Sequence, residues 1–278
     1  MKRVELFAYP AWHSLSPAMQ NAAFERLRIG ARYLTREVPP GELPAAVAGL
    51  RDPEVLGANV TLPHKESVLP LLDAVSAEAR GVGAVNTIVN RGGALEGHNT
   101  DVSGFMRSLA DLKFDVNERK VVVLGAGGAG RAVAYALLMS GSGEVLVHNR
   151  GKERAERLAV DFSHLGEIRA VASDELETAA RACDLLINAT SVGLLREGMS
   201  FDETPLPAGQ LPAAGAVIDL VYRPARTRLL RDAEAAGLVA QNGLPMLVYQ
   251  GAEAFSLWTG HDAPAEVMLA AAEAMLAG

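Results

Sequence analysis

Two side chains in the first half of this 278-residue chain can carry charge where chemistry would use it: Lys65 in "ANVTLPHKE" and Asp101 in "GHNTD". A lysine placed against a reacting oxygen can serve as general acid and base. Lys65 falls in the first turn of an expected helix, "HKESVLPLL". A cation there is disfavoured by roughly 0.3–1 kcal/mol, so helix stability does not select it. Around these two stand neutral polar residues at the ends of expected strands: Ser14 and Ser16, Asn59 and Thr61, Asn86 and Thr87, Asn99 and Thr100. Ligands of open α/β sheets bind beyond the carboxyl ends of the strands. This set suits a substrate with several hydroxyls and at most one negative charge, because a phosphorylated one would call for arginines. Two residues keep a second reading as helix N-caps: Ser16, and Asp101 unless Thr100 caps instead and leaves the carboxylate free.

A second constellation is built on glycine. "GAGGAG" holds Gly125, Gly127 and Gly130 in the spacing GxGxxG. They serve a tight turn, the approach of a pyrophosphate to the backbone, and the packing of helix on strand. The motif ends an apolar strand, Lys120 to Leu124, and opens a helix with no side-chain cap. Its free amides would face an anion, as in a dinucleotide site. About 20 residues on, an NAD site carries an acid for the ribose 2′-hydroxyl. Here the chain reads "HNRGKER", with Asn149 and Arg150 in that place and Arg154 one helical turn beyond Arg150. Two guanidinium groups can clamp a 2′-phosphate, which favours NADP. The alternative is a solvated basic helix start, although cations have the wrong sign for that end of a helix.

Elements that position these groups follow from periodicity. Strands are expected at "RVELFAYP", "RYLTREV" and "VLGANVTL", alternating with helices at "SPAMQNAAFERL" and "ELPAAVAGL". "GAVNTIVNRGGALEGHNTD" reads as a hairpin turning at "NRGG". After the helix "DVSGFMRSLADL", six strands ("KVVVL", "EVLVHNR", "EIRAVA", "DLLINAT", "AVIDLVY", "GLVAQ") alternate mostly with helices, the count of a complete dinucleotide-binding sheet. Two final helical segments, "LPMLVYQGAEAFSLWTG" and "PAEVMLAAAEAMLAG", are expected to return to the first domain. The fold class is therefore α/β with two domains. An N-terminal α/β substrate domain spans 1–103, a Rossmann-type doubly wound dinucleotide-binding domain 104–243, and the C-terminal helices 244–278.

Composition narrows the partners. A formal charge of −7, from 26 basic and 33 acidic residues, argues against nucleic-acid and anionic-membrane binding and for a small-molecule partner. The single cysteine, Cys183, sits in an apolar run and fits a reducing cytoplasm. No secretory segment is expected at the start, nor any membrane span. The six histidines, His13, His64, His98, His148, His164 and His261, have no metal-ligand spacing, so no metal is expected.

Taken together, "YPAWHSLSP", "NVTLPHK", "GAVNT", "GHNTD", "GAGGAGRA", "NR" followed by Arg154, "NATSVG", "DLVYRP" and "NGLPMLVYQGAEAF" resemble the shikimate dehydrogenase family across nearly the whole chain. The resemblance implies NADPH-dependent, reversible reduction of 3-dehydroshikimate to shikimate in aromatic amino-acid biosynthesis. It implies that Ser14 and Ser16 hold the substrate carboxylate, that Asn59, Thr61, Asn86 and Gln250 surround the ring hydroxyls, and that Tyr222 lies beside them. Lys65 would exchange the proton with the C3 oxygen, and Asp101 would position both lysine and substrate. NADP would lie on Gly125, Ala126, Gly127, Gly128 and Ala129, with Asn149, Arg150, Arg154, Thr190, Leu220 and Gly243. Three residues depart from the family pattern: Ala8 for glycine, Gln20 for histidine, and Gly151 for a threonine that would add a hydroxyl near the 2′-phosphate. Two other readings stay open: a quinate/shikimate dehydrogenase using NAD(P), and a non-catalytic NADP-binding regulatory protein. The chain is expected to act as a monomer or homodimer.

Overall fold

The structure, a computed structural model, describes residues 1–10, 14–195 and 202–277; His13, in the serine motif, lies outside the described residues. The chain forms two compact units, Met1–Gly104 with Leu247–Gly278, and Phe105–Met246.

The first unit runs β1 (Lys2–Ala8), α1 (Ser16–Arg26), β2 (Ala31–Glu37), α2 (Leu43–Gly49), β3 (Val55–Val60), β4 (Ala74–Val75), α3 (Ala77–Val82), β5 (Thr87–Arg91), β6 (Ala94–His98) and the start of α4 (Asp101–Leu112). Its sheet has the order β2-β1-β3-β5-β6-β4. β1 pairs in parallel with β2 and β3, while β5 is antiparallel to both β3 and β6. The hairpin turns on Gly92 and Gly93, both at positive φ, between the paired residues Arg91 and Ala94. Phe7, Ala58, Val60, Ile88 and Leu95 from the strands bury against Leu43, Ala46, Val47 and Leu50 of α2 and its flank.

The helix expected at "HKESVLPLL" does not form. Turns occupy 65–68 and a short 3-10 segment covers Leu69–Leu71. Pro70 has no amide hydrogen to bond the carbonyl of Glu66, so a helix cannot propagate through it. Lys65 thus sits in a turn, and the helix-dipole penalty does not apply to it.

The second unit completes α4 and continues β7 (Lys120–Leu124), α5 (Gly128–Met139), β8 (Glu144–His148), α6 (Lys152–Phe162), β9 (Ile168–Ala170), α7 (Leu176–Arg181), β10 (Leu185–Asn188), β11 (Ala216–Asp219), α8 (Arg228–Ala235) and β12 (Val239–Asn242). Its six strands are all parallel, in the order β12-β11-β10-β7-β8-β9. Counted within the unit this is 6-5-4-1-2-3, the Rossmann arrangement. Its strands read as near-continuous apolar runs because helices cover both faces. Val122, Leu124, Leu146, Leu186 and Val217 pack with Leu176, Ala180, Leu229 and Leu230 of α7 and α8.

The last two helices, α9 (Leu244–Thr259) and α10 (Ala265–Ala277), return from residue 247 onward to the first unit. Phe255 meets Phe24 of α1 with ring centroids 5.0 Å apart, and the Trp258 indole donates to the carbonyl of Ile88 at 2.9 Å. Among the described residues no helix is long and apolar enough to cross a membrane, and no three His, Cys, Asp or Glu side chains gather as a metal site. Cys183 is buried, which pushes its thiol up to about 12 and leaves it unreactive.

Candidate active site

In the first unit, a turn and a helix start bring Lys65 to Asp101. Backbone bonds hold the turn: the Lys65 carbonyl accepts from Val85 N at 2.8 Å, and His64 N donates to Thr61 O at 2.8 Å. The ring of His64, almost wholly buried, lies with Nε2 2.7 Å from the Val38 carbonyl, so that nitrogen must donate. Across from it, Asp101 is the first residue of α4 rather than its cap, and Asn99 Oδ1 receives the Asp101 amide at 3.1 Å. The Asp101 carboxylate is therefore left for another task. Lys65 Nζ donates to Asp101 Oδ2 at 2.5 Å, with the two side chains only 13% and 6% exposed.

Asn86 is the hub. Its Nδ2 lies 2.9 Å from Asp101 Oδ1, 2.9 Å from Thr100 Oγ1 and 3.3 Å from Gln250 Oε1, while its Oδ1 accepts from the Thr100 amide at 2.8 Å. The amide can face no other way, because an N–H must meet the Asn86 oxygen and an acceptor must meet its nitrogen. Asn59 stands behind it, donating through Nδ2 to Asn86 O at 3.1 Å and Thr87 Oγ1 at 3.0 Å. The Tyr33 hydroxyl donates to Asn59 Oδ1 at 2.8 Å. Both amide hydrogens of Asn59 are thus engaged within the protein.

Of the remaining substrate-side residues, Ser16 opens α1 as a helical residue, and Leu15 holds the cap position without a side-chain bond. The helix-cap reading of Ser16 falls, and Ser14 Oγ accepts the Ser16 amide at 3.2 Å. Thr61 follows β3, its amide bonded to Phe7 O at 2.9 Å. Tyr222 belongs to the second unit, past the end of β11. Gln20 is fully buried and donates to Gly251 O at 2.9 Å, one residue from Gln250.

In the second unit the glycine turn links β7 to α5. Gly125 has φ +108°, and a Cβ there would come within 2.8 Å of Ala189 O; a Cβ on Gly130 would lie 2.0 Å from Gly125 O. Gly127 caps α5 with no side-chain bond, and nothing stands within 4 Å of where its Cβ would be. An uncapped helix start facing open space fits a dinucleotide pyrophosphate. Gly128 and Ala129 lie in that first helical turn, and Ala126 N donates to Asn149 Oδ1 at 3.1 Å. Asn149 Nδ2 reaches Gly151 O at 2.9 Å, so one side chain joins the glycine turn to the start of α6. Arg150 precedes that helix and Arg154 lies in its first turn, both exposed. Thr190 follows β10, Leu220 follows β11 and Gly243 follows β12, all at the carboxyl edge of the sheet.

Three family models cover most of the chain: the shikimate dehydrogenase substrate binding domain over residues 6–88, shikimate/quinate 5-dehydrogenase over 108–196, and the shikimate 5′-dehydrogenase C-terminal domain over 243–273. A shikimate dehydrogenase (NADP(+)) of Methanopyrus kandleri is 48% identical over 271 residues, 95% of this chain and 92% of its own. The chain belongs to the shikimate dehydrogenase family. Among solved structures of that fold, the Thermus thermophilus shikimate 5-dehydrogenase in complex with NADP(H) and shikimate is 45% identical, with TM-score 0.88 over 99% of this chain and 100% of that one. The 5-ketofructose reductase of Gluconobacter sp. strain CHM43 is 35% identical, with TM-score 0.84 over 98% of both chains.

Tyr33 and His64 hold Asn59 and the Lys65 turn, and neither stands out in the sequence for that task. Tyr33 alternates with polar residues on an expected strand and gives no sign of a buried hydroxyl bond. His64 reads in sequence only as a candidate metal ligand, although its place beside Lys65 is a usable signal.

Proposed function

We propose that this family member is an NADP-dependent shikimate dehydrogenase that interconverts 3-dehydroshikimate and shikimate in the cytoplasm, serving aromatic amino-acid biosynthesis as a monomer or homodimer. The observation that carries this reading is the buried Lys65–Asp101 pair, set by Asn86 and Gln250 among neutral polar side chains. Such a site sets a lysine ammonium and a carboxylate side by side among neutral polar groups. The family's cofactor, when bound, would supply the hydride in its reduced form and accept it in its oxidised form. It would be held by Gly125–Ala129, Asn149, Arg150, Arg154, Thr190, Leu220 and Gly243.

The chain's own residues do the rest. Lys65 Nζ carries three donors, one of them used on Asp101, so the others are available to the C3 oxygen. In the reductive direction it gives up a proton as negative charge develops there, and in the oxidative direction it takes the proton back. Asp101 keeps the lysine aimed and accepts from a neighbouring substrate hydroxyl. Ser14 and Ser16 take the carboxylate, and Asn59, Thr61, Asn86 and Gln250 surround the ring. Neutral hydroxyl and amide ligands suffice for one carboxylate.

The direct test is an absorbance assay of reduced nicotinamide with shikimate and quinate, each paired with NADP and NAD. Turnover of shikimate with NADP above the other three pairs is the expected result. Preference for quinate or NAD would replace the substrate or cofactor assignment. Absence of turnover with every pair would leave a binding protein.

A further inference from the structure

Asp219 and Asn188 end the adjacent strands β11 and β10, opposite one another in register, and both side chains are fully buried. Asp219 Oδ1 accepts from Asn188 Nδ2 at 2.8 Å and from the Val221 amide at 3.0 Å, and Oδ2 accepts from the Thr227 hydroxyl at 2.6 Å. Thr227 in turn caps α8. Asn188 carries the pattern to the next loop, where its Oδ1 accepts from Thr190 N at 3.0 Å and Thr190 Oγ1 at 2.6 Å, and its Nδ2 donates to Val192 O at 3.1 Å. The Asn188 and Val221 carbonyls receive the Leu220 and Gly243 amides at 2.9 and 3.2 Å. One buried carboxylate thereby gathers the segments bearing Thr190, Leu220 and Gly243.

Folding stability does not account for an acid at this place. No cation pairs with Asp219 among the described residues, and burial pushes its carboxyl up to about 6 from 3.8, against the pull of its hydrogen bonds. A carboxylate kept in such surroundings is costly to the folded chain. With no exposed surface, Asp219 cannot itself touch a ligand.

We propose that Asp219, acting through Asn188, is a positioning residue for the cofactor: it holds the loops after β10 and β11 in the form that receives NADP. This rests on the cofactor assignment under Proposed function. The test is Asp219→Asn, which keeps the shape and weakens the charge-assisted bonds. NADP binding is titrated by fluorescence in the absence of substrate, beside kcat, both KM values and the thermal midpoint. Loss of NADP affinity by roughly tenfold is expected, with KM for shikimate unchanged and kcat at saturating NADP within a few-fold of wild type. A lowered thermal midpoint with wild-type NADP affinity overturns the proposal and leaves a structural role only. If the variant does not accumulate folded, Asn188→Ala, which leaves the Val221 and Thr227 contacts in place, carries the same two outcomes. A wild-type protein that binds no NADP overturns the cofactor reading and this inference with it.

Discussion

On the proposed reading Lys65 carries the proton, and its surroundings separate two roles it can have. Truncation to alanine leaves the Asp101 carboxylate buried without its cation, so a loss of activity alone would mix chemistry with repacking. Lys65→Gln restores a neutral donor and supplies no transferable proton. If Lys65 acts as general acid and base, both variants lower kcat by roughly two orders of magnitude or more while KM for shikimate moves little. Substantial recovery in Lys65→Gln would reduce the lysine to an orienting group. On the cofactor side, Gly151 caps α6 with no side-chain bond, and a Cβ there would make ordinary contacts at 3.6 and 3.8 Å. Packing thus gives no reason for a glycine at this place.

Elements carry the site as crossings, and the tightest lies between α4 and α9. Gly104 lets them meet: a Cβ there would stand 2.8 Å from both Cβ and the backbone nitrogen of Gln250. One residue earlier on α4, the Ser103 hydroxyl donates to the Glu253 carboxylate one turn further along α9. These contacts set Gln250 Oε1 at the long end of hydrogen bonding from Asn86 Nδ2, at 3.3 Å. Gly104→Ala must push the helices apart at backbone atoms that cannot rotate away. It is expected to cost about 1–3 kcal/mol and to break the Gln250–Asn86 bond. Urea denaturation should show the first effect and a several-fold rise in KM for shikimate the second. Unchanged KM with lowered stability would remove Gln250 from the substrate's reach. How much of this was legible in sequence differs by element. β7 and α4 are legible to the residue, because the short valine-rich run of β7 stops at a glycine turn and the apolar spacing of α4 repeats at 3.6 residues. The stretch after Pro63 has the apolar spacing of a helix, but Pro70 removes the bond that would propagate one. β4, two residues long, was missed because it has no period to detect.

For the whole molecule, sequence order disclosed the strand count of the second unit but not the burial that gives its polar residues their work. Asp219 in "DLVYRP" looks no different from any acid at a strand end until the sheet and α8 close over it. That burial makes global stability depend on pH in an uncommon direction. The folded-state carboxyl lies at about 6 against 3.8 in the open chain, mainly through desolvation. Between those values the native state holds a proton that the unfolded state lacks, so this group makes the protein more stable as pH falls. Above about 6 both states are ionised and the full burial cost is present; below 3.8 both are protonated and the relief is complete. At pH 4.5 the relief amounts to about 2 kcal/mol. Asp219→Asn cannot titrate, while every other group is shared, so the stability difference between wild type and variant isolates the effect. Urea unfolding at pH 7.5 and 4.5 should find that difference moving in favour of wild type by about 2 kcal/mol at the lower pH. A difference that stays constant would mean that Asp219 is ionised throughout, its three donors outweighing its burial.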